Sequence, residues 1–175
     1  MKNSKTTKKK WELKMKDKKP FNHNTPLIKT DMKLLLTEIL QKVNNAKTKA
    51  EKRKILQDNN SQALRSLFIW NFDETVKSAI PEGDVPYRVN DAPKGLEHDF
   101  LDQNQRKFAY FVKGGITVSN MKREELFMGL LETLHSEEAE LLCMVKDKAL
   151  QKKYTRISAT LVKEAFPEIA WGGRS

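Results

Sequence analysis

With a single cysteine, Cys143, in 175 residues, the chain cannot build an internal disulfide framework, and a reducing interior is the simpler setting. Cys143 falls in an apolar run and reads as a small buried apolar side chain rather than a reactive thiol. No run approaches the roughly 18 consecutive apolar residues that a membrane-spanning helix needs. The lysine-rich beginning has no apolar stretch behind it, so it is not a secretory signal. Neither a Walker A sequence nor G-x-G-x-x-G is present, which leaves nucleotide binding unsupported. His135-Ser136 lacks the G-x-S-x-G context of a hydrolase nucleophile. His98 and Asp102 would lie one helical turn apart, beside Glu97 and Asp99, but two ligands do not make a metal site. That group reads as an acidic first turn favoured by the helix dipole. No catalytic residue, metal or cofactor is expected, and the chain reads as a non-enzyme.

What is present in quantity is charge, at 32% of residues against 38% hydrophobic, as suits a helical protein with a solvated outer face. The net charge is +10, and its placement matters more than its sum. Residues 1–30 hold ten lysines and two acids, hence +8, which leaves +2 for residues 31–175. Residues 1–30 are also poor in aliphatics, too poor to offset chain entropy by burial, and read as a mobile basic arm. Lys8, Lys9, Lys10, Lys14, Lys16, Lys18 and Lys19 are its candidate phosphate contacts, which makes nucleic acid a candidate partner. Trp11, Leu13 and Met15 alternate with lysines there and suit docking as an extended piece.

The clearest periodicity lies in residues 121–148, which predict two helices with a tight corner. Leu126, Phe127, Leu130, Leu131 and Leu134 recur at three- and four-residue spacing and share one face. Ser136 is the expected N-cap of the second helix, with Glu137 and Glu138 at its positive end. Ala139, Leu141, Leu142, Met144 and Val145 supply its apolar stripe, and Lys146 and Lys148 give it a basic end.

Elsewhere, Asp31 is a candidate cap for a helix carrying Met32, Leu35, Leu36, Ile39, Leu40 and Val43. Thr48 and Glu51 have capping-box spacing and open a basic helix. Its Lys49, Lys52 and Arg53 are candidate nucleic-acid contacts in the body, beside Lys47 and Lys54. Ser61 and Asp73 predict two further helix starts, the second a short helix with Val76, Ala79 and Ile80. Residues 81–96 hold three prolines and two glycines and predict a long loop, where Tyr87 and Arg88 are candidate partner contacts. Residues 97–113 predict a helix stopped by Gly114-Gly115, and residues 150–155 a polar connector. Ser158 predicts the cap of a last helix, which Pro167 ends. In the 167–175 tip beyond it, which reads as flexible, Trp171 is a candidate docking aromatic. The expected architecture is all-α. A compact bundle of six or seven short helices over 31–175 forms one domain behind the arm.

The phrases MKLLLTEILQKVNNAKTKAEKRKIL (32–56), PEGDVPYRVNDAPKGLEH (81–98), FVKGG (111–115), KREELFMGLLETLHSEEAELL (122–142) and KKYTRISATLVKEAF (152–166) resemble a small uncharacterised protein family of large contractile-tailed, myovirus-type bacteriophages. The resemblance covers residues 32–175 and implies a setting, the cytoplasm of an infected bacterium or the virion, but no mechanism or catalytic residue. It implies a phage or host protein as partner. Together with the basic arm it supports an accessory protein that binds macromolecules, DNA among them. The alternative is a minor virion or assembly protein that docks through an apolar or aromatic surface.

Overall fold

A computed structural model of the chain describes residues 33–97 and 99–174. The basic arm, Asp31, Met32 and His98 lie outside the described residues.

Two helices form the entry. Helix α1 (Leu36–Asn45) buries Leu36, Ile39, Leu40 and Val43, spaced to make one stripe. Its start is fixed by Glu38, whose Oε2 accepts from the Leu35 N–H at 2.9 Å. Helix α2 (Lys49–Asp58) opens on the expected capping box: the Glu51 N–H donates to Thr48 Oγ1 and the Thr48 N–H to Glu51 Oε2, each at 3.2 Å. Leu56 is its fully buried side chain, and α2 lies between α1 and the last helix.

Helix α3 (Gln62–Phe72), capped by Ser61, carries Leu64, Leu67, Phe68 and Trp70 into the core. It ends at Asp73, which the sequence reads as the start of another helix. That helix does not form. Asp73 Oδ1 instead accepts from the N–H and the hydroxyl of Thr75, folding a turn. The chain then pairs briefly with a distant segment: the Ala79 N–H donates to the Phe111 carbonyl (2.7 Å) and the Lys113 N–H to that of Lys77 (2.8 Å). This isolated bridge, Ser78 to Val112, is the β pairing among the described residues.

Residues 97–113 also depart from the expected α-helix. They form two 3₁₀ segments, Leu101–Gln103 and Gln105–Tyr110. The cause is competition for backbone groups. The Leu101 N–H is taken by Glu138 Oε2 at 2.9 Å, and the Asn104 side chain donates to the Phe100 carbonyl at 2.8 Å. Phe108 and Phe111 are three residues apart, so a 3₁₀ turn stacks them on one side, and both meet Trp70.

The predicted corner is present. Helix α4 (Asn120–Thr133), capped by Ser119, meets α5 (Ser136–Lys146). The cap of α5 is His135 rather than Ser136, with Nδ1 accepting from the Glu137 N–H at 3.2 Å. Helix α5 is central: it packs against α1, α3 and α4, and Leu141, Leu142 and Val145 are fully buried. The expected connector contains a one-turn helix, α6 (Leu150–Lys153), and α7 (Ala159–Ala165) follows on the Ser158 cap. The fold is therefore all-α, with seven α-helices among the described residues, none long and apolar enough to cross a membrane.

The 167–175 tip, read as flexible, is tied down as far as the described residues reach. Trp171 packs on the body with Lys163 Nζ 5.5 Å from its ring centre. Asp73 Oδ2 accepts from the Gly172 N–H at 2.8 Å and from the Arg174 guanidinium at 2.7 Å. Burial alone would raise the Asp73 carboxyl, but donors from Thr75, Gly172 and Arg174 outweigh it and hold the group at about 2.

A Cβ at Gly115 would sit 2.0 Å from the Ala109 carbonyl oxygen, where the Ile116 N–H also bonds, whereas Gly129, within α4, has open space. In urea denaturation, Gly115→Ala loses more than about 1 kcal/mol and Gly129→Ala gains about 1 kcal/mol. Because the Asp73 carboxyl is depressed on folding, its contribution is present above about pH 4 and is lost as pH falls through about 2. Asp73→Asn therefore destabilises by roughly 2 kcal/mol at neutral pH, and the gap to wild type closes across that acid window in thermal melts.

Candidate functional site

The long Pro/Gly loop is shaped by a lysine expected only as part of the basic end of its helix. Lys146, at the end of α5, turns inward, and its ammonium is fully buried. It donates to the carbonyls of Pro81 (2.8 Å) and Gly83 (3.0 Å) and pairs with Asp147. Asp147 Oδ2 in turn accepts from the Gly83 N–H at 3.2 Å. A buried ammonium needs such partners, and here loop carbonyls supply them. Lys148 follows in the left-handed region (φ 55°), a position that usually favours glycine. Its ammonium reaches the carbonyls of Trp70 and Asp73, closing the end of α3. Neither role was legible, because a lysine at a helix end reads first as a dipole partner.

Held this way, the loop walls a cleft of about 730 Å³ against α5 and α6. Tyr87, Cys143 and Met144 are among its lining, with Glu82, Asp84, Glu140 and Asp147 outnumbering Lys148 and Lys152. Burial pushes the Tyr87 hydroxyl up and lifts the Cys143 thiol to about 11, so Cys143 is a protonated, unreactive wall. The cleft offers contact surface; it contains no nucleophile activated by a base. Tyr87 is the one sequence-predicted contact residue lining it. Arg88 is exposed on the loop, its N–H donating to Glu132 Oε1 at 3.0 Å.

On α2, Lys49 and Arg53 are exposed and Lys52 is half-buried, and two of the three also serve the fold. Lys49 pairs with Glu164 of α7 at 2.6 Å, and Lys52 donates to the Arg156 carbonyl at 3.0 Å. Trp171, expected as a docking aromatic, is instead half-buried against its own body beside Lys163. The arm lysines, Lys8 to Lys10, Lys14, Lys16, Lys18 and Lys19, lie outside the described residues.

Near α1, Glu138 is almost wholly buried, with Glu97 and Asp102 as acidic neighbours. Its oxygens accept from the Leu36 N–H (3.1 Å) and the Leu101 N–H (2.9 Å). Asp102 pairs with Lys33. Among the described residues no three His, Cys, Asp or Glu side chains are arranged to hold a metal ion.

Comparison with known proteins adds a family. No curated protein and no solved structure matches the chain. A family model does match, over residues 39–152, from within α1 to within α6. That span exceeds half the chain and includes the cleft, Glu138 with its Leu101 partner, and the α4–α5 corner, so the protein belongs to the family of unknown function DUF6433.

Proposed function

We propose that the protein is a non-enzymatic bacteriophage accessory protein that binds macromolecular partners in the infected cell, with DNA held by the basic N-terminal arm. The observation that carries this reading is the segregation of charge: +8 in residues 1–30 against +2 in the rest. The paired state of the body's charges supports it. Lys33–Asp102, Lys49–Glu164, Lys94–Glu38 and Lys153–Glu140 each neutralise a cation within the fold. The arm has two acids for its ten lysines, so its charge is left for phosphates. A second reading, a minor virion or assembly protein, is favoured by apolar side chains left in water. Leu96 is 72% exposed and Met121 83%.

The DNA reading is tested by binding of the full chain to a short duplex at several salt concentrations. If the arm engages about six phosphates, the slope of log affinity against log salt is about −5. Replacing Lys8, Lys9, Lys10, Lys14, Lys16, Lys18 and Lys19 with Gln brings the slope close to zero. Wild-type affinity in that variant, or binding indifferent to salt, overturns the reading.

A further inference from the structure

The Pro/Gly loop has a second side, and the residues that line it differ in kind from those of the cleft. Between the start of the loop and α4 lies a pocket of about 210 Å³. Pro81, Val85 and Pro86 line it from the loop. Glu124, Phe127 and Met128 line it from α4, and their three- and four-residue spacing puts them on one face of that helix. The loop wall is held at both ends. Lys146 binds the carbonyls of Pro81 and Gly83, and Asp147 accepts from the Gly83 N–H. Farther along, the Arg88 N–H donates to Glu132 Oε1 on α4. Two proline rings stiffen the stretch between these ties. The pocket is therefore preformed, and a ligand does not have to order it.

Its chemistry is one-sided. The charged residues of the lining are Glu82, Asp84 and Glu124, all exposed, and no basic residue joins them. The other lining side chains, with Ile80 among them, are hydrocarbon or thioether. No side chain of the pocket can donate a hydrogen bond, while three carboxylates can accept. Among the described residues none of the three carboxylates enters an ion pair. The bases close to them in the chain are spent elsewhere: Lys122 on Glu125, and Arg123 on the carbonyls of Tyr110 and Val118. Residues 31–175 carry +2, so three acids without a base are a local excess and not a sample of an acidic surface.

This lining selects its occupant. An anion is repelled, and a wholly apolar group would strip water from carboxylates without giving them a donor. A cation on a hydrocarbon stem satisfies both parts. The pocket is smaller than the roughly 300–1,000 Å³ of sites that enclose a small-molecule ligand, which suits one long side chain reaching in from a larger surface. Arginine fits best, since its planar fork of five donors serves two carboxylates at once while its methylenes lie on apolar walls. We propose that this pocket takes an arginine side chain from an exposed segment of a partner protein, with the guanidinium among Glu82, Asp84 and Glu124 and the stem against Pro81, Val85 and Pro86. A phosphate backbone has no place here, and none of the arm lysines is used, so the assignment stands apart from the DNA reading.

The test is selection of a random dodecapeptide display library on the full chain, followed by titration of the enriched peptides as synthetic probes. Arginine is expected at one fixed position of the enriched peptides, and replacing it with alanine weakens binding at least about tenfold. Binding weakens as much in a Glu82→Gln, Asp84→Asn, Glu124→Gln variant and in Val85→Lys, which supplies a cation from within. A control variant, Asp58→Asn, Glu74→Gln, Glu164→Gln, removes three exposed acids outside the pocket and leaves binding at the wild-type level. So does the seven-lysine arm variant. Thermal melts confirm that each variant folds. Failure to enrich any peptide, enrichment without arginine, or undiminished binding by the pocket variants overturns the proposal. Equal weakening in the control variant also overturns it, because the attraction is then general and not local. Displacement of the peptides by an equal concentration of spermidine overturns it in favour of a free polyamine. Self-association of the chain that the pocket variants abolish overturns it in favour of a second copy.

Discussion

A carboxylate shut away from water holds three parts of this fold on one another. Glu138, 1% exposed, sits near the start of α5 and accepts one N–H from the start of α1 and one from the first 3₁₀ segment. Burial raises its pKa above the ordinary carboxylate range. Glu97 and Asp102 push the same way, against the two backbone donors. Folding therefore favours the protonated acid, and that contribution fades as pH rises through the elevated value. Yet removing the side chain would strand two N–H groups, each costing roughly 1–3 kcal/mol. Glu138 is thus better understood as fixing which segments meet than as adding net stability.

The same device recurs toward the surface. Lys146 gathers the carbonyls of the 81–83 turn, Lys148 those at the end of α3, and Asp73 the C-terminal residues. Irregular backbone has no ladder of its own, so its polar groups are satisfied by side chains sent from helix ends. Charges used this way are no longer available to partners. Facing solvent, the described residues form a cleft beside Tyr87 whose lining holds more acids than lysines.

Much of this was legible in the sequence where local chemistry decides. Thr48 with Glu51, Ser61 and Ser158 cap the helices they predict, and the stripe from Leu126 to Leu134 meets the stripe from Ala139 to Val145. Illegible were positions where a partner distant in sequence outbids a local preference. Asp73 looks like an N-cap, but its side chain turns to Thr75 and Gly172. Leu101, Phe108 and Phe111 suit an α-helix until Glu138 claims the Leu101 N–H. Of the candidate contacts, Tyr87 lines a cleft, whereas Trp171 prefers Lys163 and its own body. That Lys107, Val118 and Lys122 line one groove gave no signal, because they lie on opposite sides of the Gly115 turn in the chain.

The central claim, that Glu138 locks α1 and the 3₁₀ segment onto α5, is most directly examined by native-state hydrogen exchange. If it holds, the Leu36 and Leu101 amides exchange only through global unfolding, as slowly as those of Leu142 and Val145 within α5. Exchange of either amide at the rate of the 81–96 loop would contradict it.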